Sequence, residues 1–105
     1  MGKLKEMSLK VVGVTFPNTD GTSRQETISK ISLSSDVQLI REPNNEYDPN
    51  AIAVFIDNFQ VGFLAGEDAQ NIAVLMDSGV TFEAVVEQIG VHKGKNWVKI
   101  LVNEV

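Results

Sequence analysis

The chain contains no cysteine, so it has neither a disulfide nor a thiolate for metal binding or catalysis. That absence suits a reducing compartment. Histidine occurs once, as His92; a zinc site wants several histidine or cysteine ligands, so a solvated hairpin residue is the simpler reading. No apolar stretch approaches the roughly 18 to 20 residues a membrane span needs, and the start MGKLKEMSLK lacks the apolar run of a signal peptide. These absences lead to the expectation of a soluble cytoplasmic protein. No glycine-rich loop of P-loop or dinucleotide-binding spacing is present either. At 105 residues, with no repeat, linker or low-complexity tract, the sequence reads as a single domain over residues 1–105, large enough for one core.

Positive charge is also scarce. The net charge of −5 argues against a general nucleic-acid binder, because non-specific affinity comes mostly from lysine and arginine neutralising phosphates. Its distribution is uneven. Residues 1–10 and 93–105 hold six lysines (Lys3, Lys5, Lys10, Lys93, Lys95, Lys99) against Glu6 and Glu104, whereas residues 11–92 hold Arg24, Lys30 and Arg41 against twelve acids. If the first and last strands lie side by side, the lysines form one basic stripe on an acidic body; ordinary solubilising lysines are the alternative.

Periodicity and punctuation predict a mainly β protein. Leu9 to Phe16 reads as a strand with Gly13 inside it, ended by Pro17-Asn18-Thr19-Asp20-Gly21. Ser23 to Ile31 permits a short helix or an irregular connection. Val37 to Ile40 is a strand, and the almost wholly apolar Ala51 to Ile56 is another, buried on both faces. Asp57-Asn58 turns the chain, with Asn58 at positive φ, into a partner strand over Gln60 to Leu64. Gly66-Glu67-Asp68 opens a helix whose apolar face is Ala69, Ile72, Ala73, Leu75 and Met76, ending at Ser78 with Gly79 as its left-handed cap. Val80 to Val91 and Asn96 to Val102 are two closing strands joined through residues 92–96. About six short strands with one or two short helices suggest a small antiparallel OB-like barrel.

The most informative stretch is Arg41-Glu42-Pro43-Asn44-Asn45-Glu46-Tyr47-Asp48-Pro49-Asn50-Ala51-Ile52-Ala53-Val54. Two prolines preset φ and push Glu42 and Asp48 toward extended geometry, while Asn and Asp side chains can bond nearby backbone. Tyr47 and Asp48 are therefore expected on a stiffened surface loop, ordered without a ligand. Glu42, Glu46 and Asp48 could be offered as a carboxylate cluster for Mg²⁺ or acid–base work. All three lie on one loop with no converging group, so no enzymatic role, catalytic residue, metal or cofactor is assigned.

The run REPNNEYDPNAIAV, with VVGVTF upstream and QVGFLA downstream, resembles the HIRAN domain. That family occurs fused to DNA translocases of the SWI/SNF type and as small stand-alone bacterial proteins, and the resemblance covers about residues 10–90. It implies an OB-like fold and recognition of single-stranded DNA at a free 3′ end, in DNA repair or processing, with a helicase or nuclease as a further partner. It also assigns roles. Asp48 would accept the hydrogen of a terminal 3′-hydroxyl, where a continuing phosphate would meet negative charge without a donor. Tyr47 would offer a π-face or backbone contact and Phe16 would stack on bases. Asn45 would reach sugar or base edges, and Asn44 either does the same or locks the turn. Lys93 and Lys95 would assist electrostatically.

The departures from the family pattern matter as much. Where DNA-binding members have Val-Val-Gly-x-Arg-aromatic-aromatic, this chain reads Val14-Thr15-Phe16-Pro17 after Gly13, and where some carry a histidine after the Val-Gly of the hairpin strand, it has Phe63. Two potential phosphate contacts are lost, so binding is expected to be weaker and less salt-sensitive than a basic member's. Phe63 could stack on a base, but an aromatic on a strand is more often core, and Trp97 is read the same way. A second reading, a protein-interaction or structural adaptor with a HIRAN-like fold and no DNA binding, would present the acidic surface to a basic partner.

Overall fold

A computed structural model describes residues 6–105. Its elements in chain order are β1 (Met7–Val12), α1 (Arg24–Lys30), β2 (Val37–Arg41), β3 (Ile52–Ile56), β4 (Phe59–Leu64), α2 (Gly66–Asp77), β5 (Phe82–His92) and β6 (Lys95–Glu104). The strands form one antiparallel sheet in the order β2-β3-β4-β1-β6-β5. β1 is the corner strand. Its first four residues pair with β6, Met7 opposite Val102 through Lys10 opposite Lys99, and its last two pair with β4. Register shifts between Val54 and Phe55 and between Val86 and Gln88 add curl of the kind a β-bulge produces. The sheet bends until its two ends approach, and a single antiparallel bridge joins Asp36, just before β2, to Val85 of β5. The result is a curled half-barrel of OB-like form.

The core fills this curl. Ile52, Val54 and Ile56 of β3, Val61 of β4, and Val98, Ile100 and Val102 of β6 are fully buried. Ala53 is buried too, so β3 is covered on both faces, as its nearly continuous apolar run predicts. Ile28 of α1 and Ala69, Ile72 and Ala73 of α2 join the same cluster. α1 begins at an N-cap, Ser23, whose hydroxyl accepts from Glu26 N at 3.1 Å, which settles the Ser23–Ile31 stretch as a short helix. α2 ends where Ser78-Gly79 predicted, with Gly79 at φ 101°.

One glycine is demanded by close approach. Gly62 sits at φ 155°, and a Cβ built there would lie 2.2 Å from the carbonyl oxygen of Val12 and 2.8 Å from the Val11 side chain. No side chain fits where β4 crosses β1. This is why Val61-Gly62-Phe63 needs its glycine.

Several expectations are corrected. β1 ends at Val12 rather than Phe16; Gly13 turns at φ 73°, and Phe16 N donates to Gly13 O at 3.1 Å, closing a turn instead of extending the ladder. The β5–β6 connection is shorter than residues 92–96, since only Lys93 and Gly94 lie between the strands, both at positive φ in a tight primed turn. Asp57 joins Asn58 at positive φ, giving the β3–β4 hairpin the same kind of turn. β5 starts at Phe82, because Val80 N is still bound to Leu75 O at the end of α2. Neither Phe63 nor Trp97 belongs to the core: both are half-buried, and Trp97 lies across Gly90, its partner on β5. The first and last strands are indeed neighbours, with Lys10 opposite Lys99; Lys3 and Lys5 lie outside the described residues.

Candidate nucleic-acid interface

The loop between β2 and β3 is held by its own residues. Glu42 N donates to Ala51 O at 2.9 Å, joining the two ends of the loop. Inside it, Asn45 Oδ1 accepts from Tyr47 N at 2.9 Å and Asp48 N at 3.1 Å, while Asn45 Nδ2 donates to Glu42 Oε1 at 2.9 Å. Asp48 Oδ1 accepts from Asn50 N at 2.8 Å. These are Asx-type turns, in which a short side chain replaces a missing backbone partner. Asn45 therefore spends its carbonyl on the loop, and one Asp48 oxygen is likewise engaged. Tyr47 stands at the apex, 89% exposed.

Phe63 is the floor beside which this loop stands. On β4 it pairs with Ala53 of β3 on one side and Val12 of β1 on the other. β3 leads back to the loop and β1 leads on to the Gly13 turn, so two segments far apart in sequence rise on either side of one ring. The second wall carries Phe16, 66% exposed, and behind it Arg24. Between the walls lies a cleft of about 800 Å³, lined mainly by apolar surface, to which Phe16, Arg24, Asn45, Tyr47, Asp48 and Phe63 contribute.

Arg24 builds the second wall. Its Nε donates to Asn18 Oδ1 at 2.7 Å and its Nη1 to Gly13 O at 2.8 Å, and its guanidinium carbon lies 5.5 Å from the centre of the Phe63 ring. That distance is within cation–π range. Asn18 in turn donates to Gln60 O and Thr22 Oγ1, both at 2.9 Å. Burial pushes the Arg24 guanidinium below its ordinary pKa, with the Glu42 carboxylate opposing that shift. On the outer side, Gln25 donates to Val14 O and Asn96 O and accepts from Asn96 N, bolting the turn and α1 to the start of β6.

Of the eight residues nominated by sequence, Phe16, Asn45, Tyr47, Asp48 and Phe63 line this one cleft. Asn44 is exposed and does not line it. Lys93 and Lys95 are exposed at the β5–β6 hairpin, which Gln25 brings beside the Gly13 turn, but they too lie outside the lining. Arg24 was missed by sequence reasoning. One signal was available: a cation opening a helix opposes the helix dipole, so an arginine directly after the Ser23 cap has a tertiary reason to be there.

A HIRAN domain model matches residues 12–103. The chain belongs to the HIRAN family. HIRAN domains are nucleic-acid-binding modules, binding domains rather than catalytic ones. Among solved structures, the chain is similar to a protein from Lactobacillus plantarum, with a TM-score of 0.78 and 25% identity, covering 97% of this chain and 92% of that one. It is also similar to the HIRAN domain of human HLTF, with a TM-score of 0.69 and 28% identity, covering 97% of this chain and 77% of that one. No curated protein matches the chain. No helix among the described residues is long and apolar enough to cross a membrane.

Proposed function

We propose that this chain is a single HIRAN module, spanning residues 1–105, that binds single-stranded DNA at a free 3′-hydroxyl end. The observation that carries the reading is convergence: Phe16, Tyr47, Asp48 and Phe63, drawn from three separate segments, line one cleft. Exposed rings at its rim and a half-buried ring at its floor suit stacking, which is worth about 1 to 3 kcal/mol per base and tolerates any sequence. Asp48 supplies discrimination. Only Oδ1 is engaged by the loop's own backbone among the described residues, so Oδ2 is available to accept from a terminal hydroxyl. A 3′-phosphate in the same place would bring like charge against it. Asn45 supports this site by holding the Tyr47 and Asp48 amides, and Lys93 and Lys95 add long-range attraction for the approaching strand.

The proposed setting is DNA repair or processing in the cytoplasm, beside a helicase or nuclease that generates or consumes such ends. Fluorescence anisotropy with a labelled oligonucleotide ending in a 3′-hydroxyl, against the same oligonucleotide ending in a 3′-phosphate, tests the reading at low salt. Tighter binding of the hydroxyl end is expected. Equal affinity, or no binding, rejects it.

A further inference from the structure

We propose that Arg24 is the phosphate-binding group of the cleft, contacting the internucleotide linkage that joins the terminal nucleotide to the rest of the strand. The inference rests on the end-binding reading above and adds the group that the family pattern places elsewhere. Arg24 is only 8% exposed, yet the ion pairs among the described residues, Lys30 with Glu26 and Arg41 with Asp77, leave it without a carboxylate partner. Its two protein acceptors, Asn18 Oδ1 and Gly13 O, are neutral. They satisfy donors but do not neutralise charge, and a buried charge is ordinarily paired. Glu42, the acid that acts on it electrostatically, has Oε1 engaged by Asn45 Nδ2.

The geometry of the remaining donors points the same way. A guanidinium has five N–H groups in a planar fork. Among the described residues, no protein acceptor takes a hydrogen bond from Nη2, and Arg24 lines the cleft. The cleft is thus bipolar, with a cation that makes no direct ion pair on one wall, a carboxylate on the other and the Phe63 ring at the floor between them. A nucleotide has that same polarity, an anionic phosphate on its 5′ side and a hydroxyl donor on its 3′ side. Through Gly13 O, Arg24 also brings its cation to the turn bearing Thr15, where the sequence lacks one.

Oligonucleotides carrying one neutral methylphosphonate linkage, placed at the 3′-terminal junction or at each of the next three, test this by anisotropy with the wild-type protein and Arg24→Gln. The wild type is expected to lose affinity about 10-fold or more at a single linkage, as for a charge-assisted hydrogen bond. Arg24→Gln is expected to bind the all-phosphodiester strand weaker by a similar factor and to be indifferent to that same substitution. Its salt slope should be shallower by about 0.7, the value for one phosphate on a single strand. Equal sensitivity of both proteins to the neutral linkage overturns the proposal, and so does a wild type indifferent at every position. If thermal melting shows that Arg24→Gln does not fold, Arg24→Lys takes its place, since it keeps the charge and loses the planar fork. A linkage effect reduced in Arg24→Lys supports the proposal, and an unchanged one overturns it. A wild type that shows the linkage effect without preferring a 3′-hydroxyl over a 3′-phosphate sinks end recognition alone and leaves Arg24 as a phosphate ligand.

Discussion

The loop wall of the cleft and the Arg24 wall differ in where their hydrogen bonds go. From Arg41 to Ala51, the bonds within the loop run between residues at most ten apart, and Asn45 and Asp48 make most of the side-chain bonds. On the other wall, Asn18 reaches Gln60, Arg24 reaches Gly13, and Gln25 reaches Asn96, across 42, 11 and 71 positions. The first wall carries its own shape. The second exists only when β1, β4, α1 and β6 are already assembled.

The largest expected effect breaks the floor on which both walls stand. Gly62→Ala would place a methyl 2.2 Å from Val12 O, and overpacking against backbone together with strained φ is expected to cost about 3 kcal/mol or more. Chemical denaturation would show a lower midpoint. A wild-type midpoint would mean that β4 and β1 can separate without loss.

Two asparagines measure the contrast directly. Asn18→Ala removes the acceptor of the buried Arg24 Nε and is expected to cost about 2 to 3 kcal/mol, whereas Asn45→Ala frees loop amides that water can reach and is expected to cost about 1 kcal/mol. Equal losses in denaturant would remove the distinction between the walls.

Smaller still in stability, though not in selectivity, is Asp48→Asn. The amide oxygen can still accept from Asn50 N, so the melting temperature should stay within the range of a change below about 0.5 kcal/mol. Discrimination between 3′-hydroxyl and 3′-phosphate ends should collapse, because the repelling charge is gone.

The smallest effect concerns the turn that supports Arg24. Hydrogen bonds from the Thr22 hydroxyl and amide to Asp20 hold that carboxyl below its ordinary pKa of 3.8. A carboxylate with a lowered folded-state pKa contributes above its ordinary value and loses that contribution as pH falls through the lowered one. The Thr22 amide resonance should therefore move in an acid titration with its midpoint below 3.8, and Asp20→Asn should abolish that movement.

Legibility followed the reach of the interactions. β3 could be read from its unbroken apolar run, α2 from its acidic start and Gly79 end, and the β3–β4 hairpin from Asp57-Asn58, since each depends on neighbours in the chain. The motif loop could be read for the same reason. The end of β1 was misjudged because Val14, Thr15 and Phe16 have strand-like side chains, while the turn at Gly13 is closed partly by Arg24 from another element. Phe63 looked like core because strand aromatics usually are; which face of β4 meets the cleft depends on its register with β1 and β3.

By itself the sequence determined the mainly β class and the stiff Asn- and Pro-rich loop, because hydrophobic period and turn chemistry act over a few residues. Only the tertiary structure decided that Phe16 and Phe63 share a cleft with Tyr47 and Asp48, and that Arg24 lines the same cleft with its Nη1 bound to Gly13 O. Strand register and the close crossing at Gly62 are long-range matters, settled by how whole strands pack rather than by any local pattern.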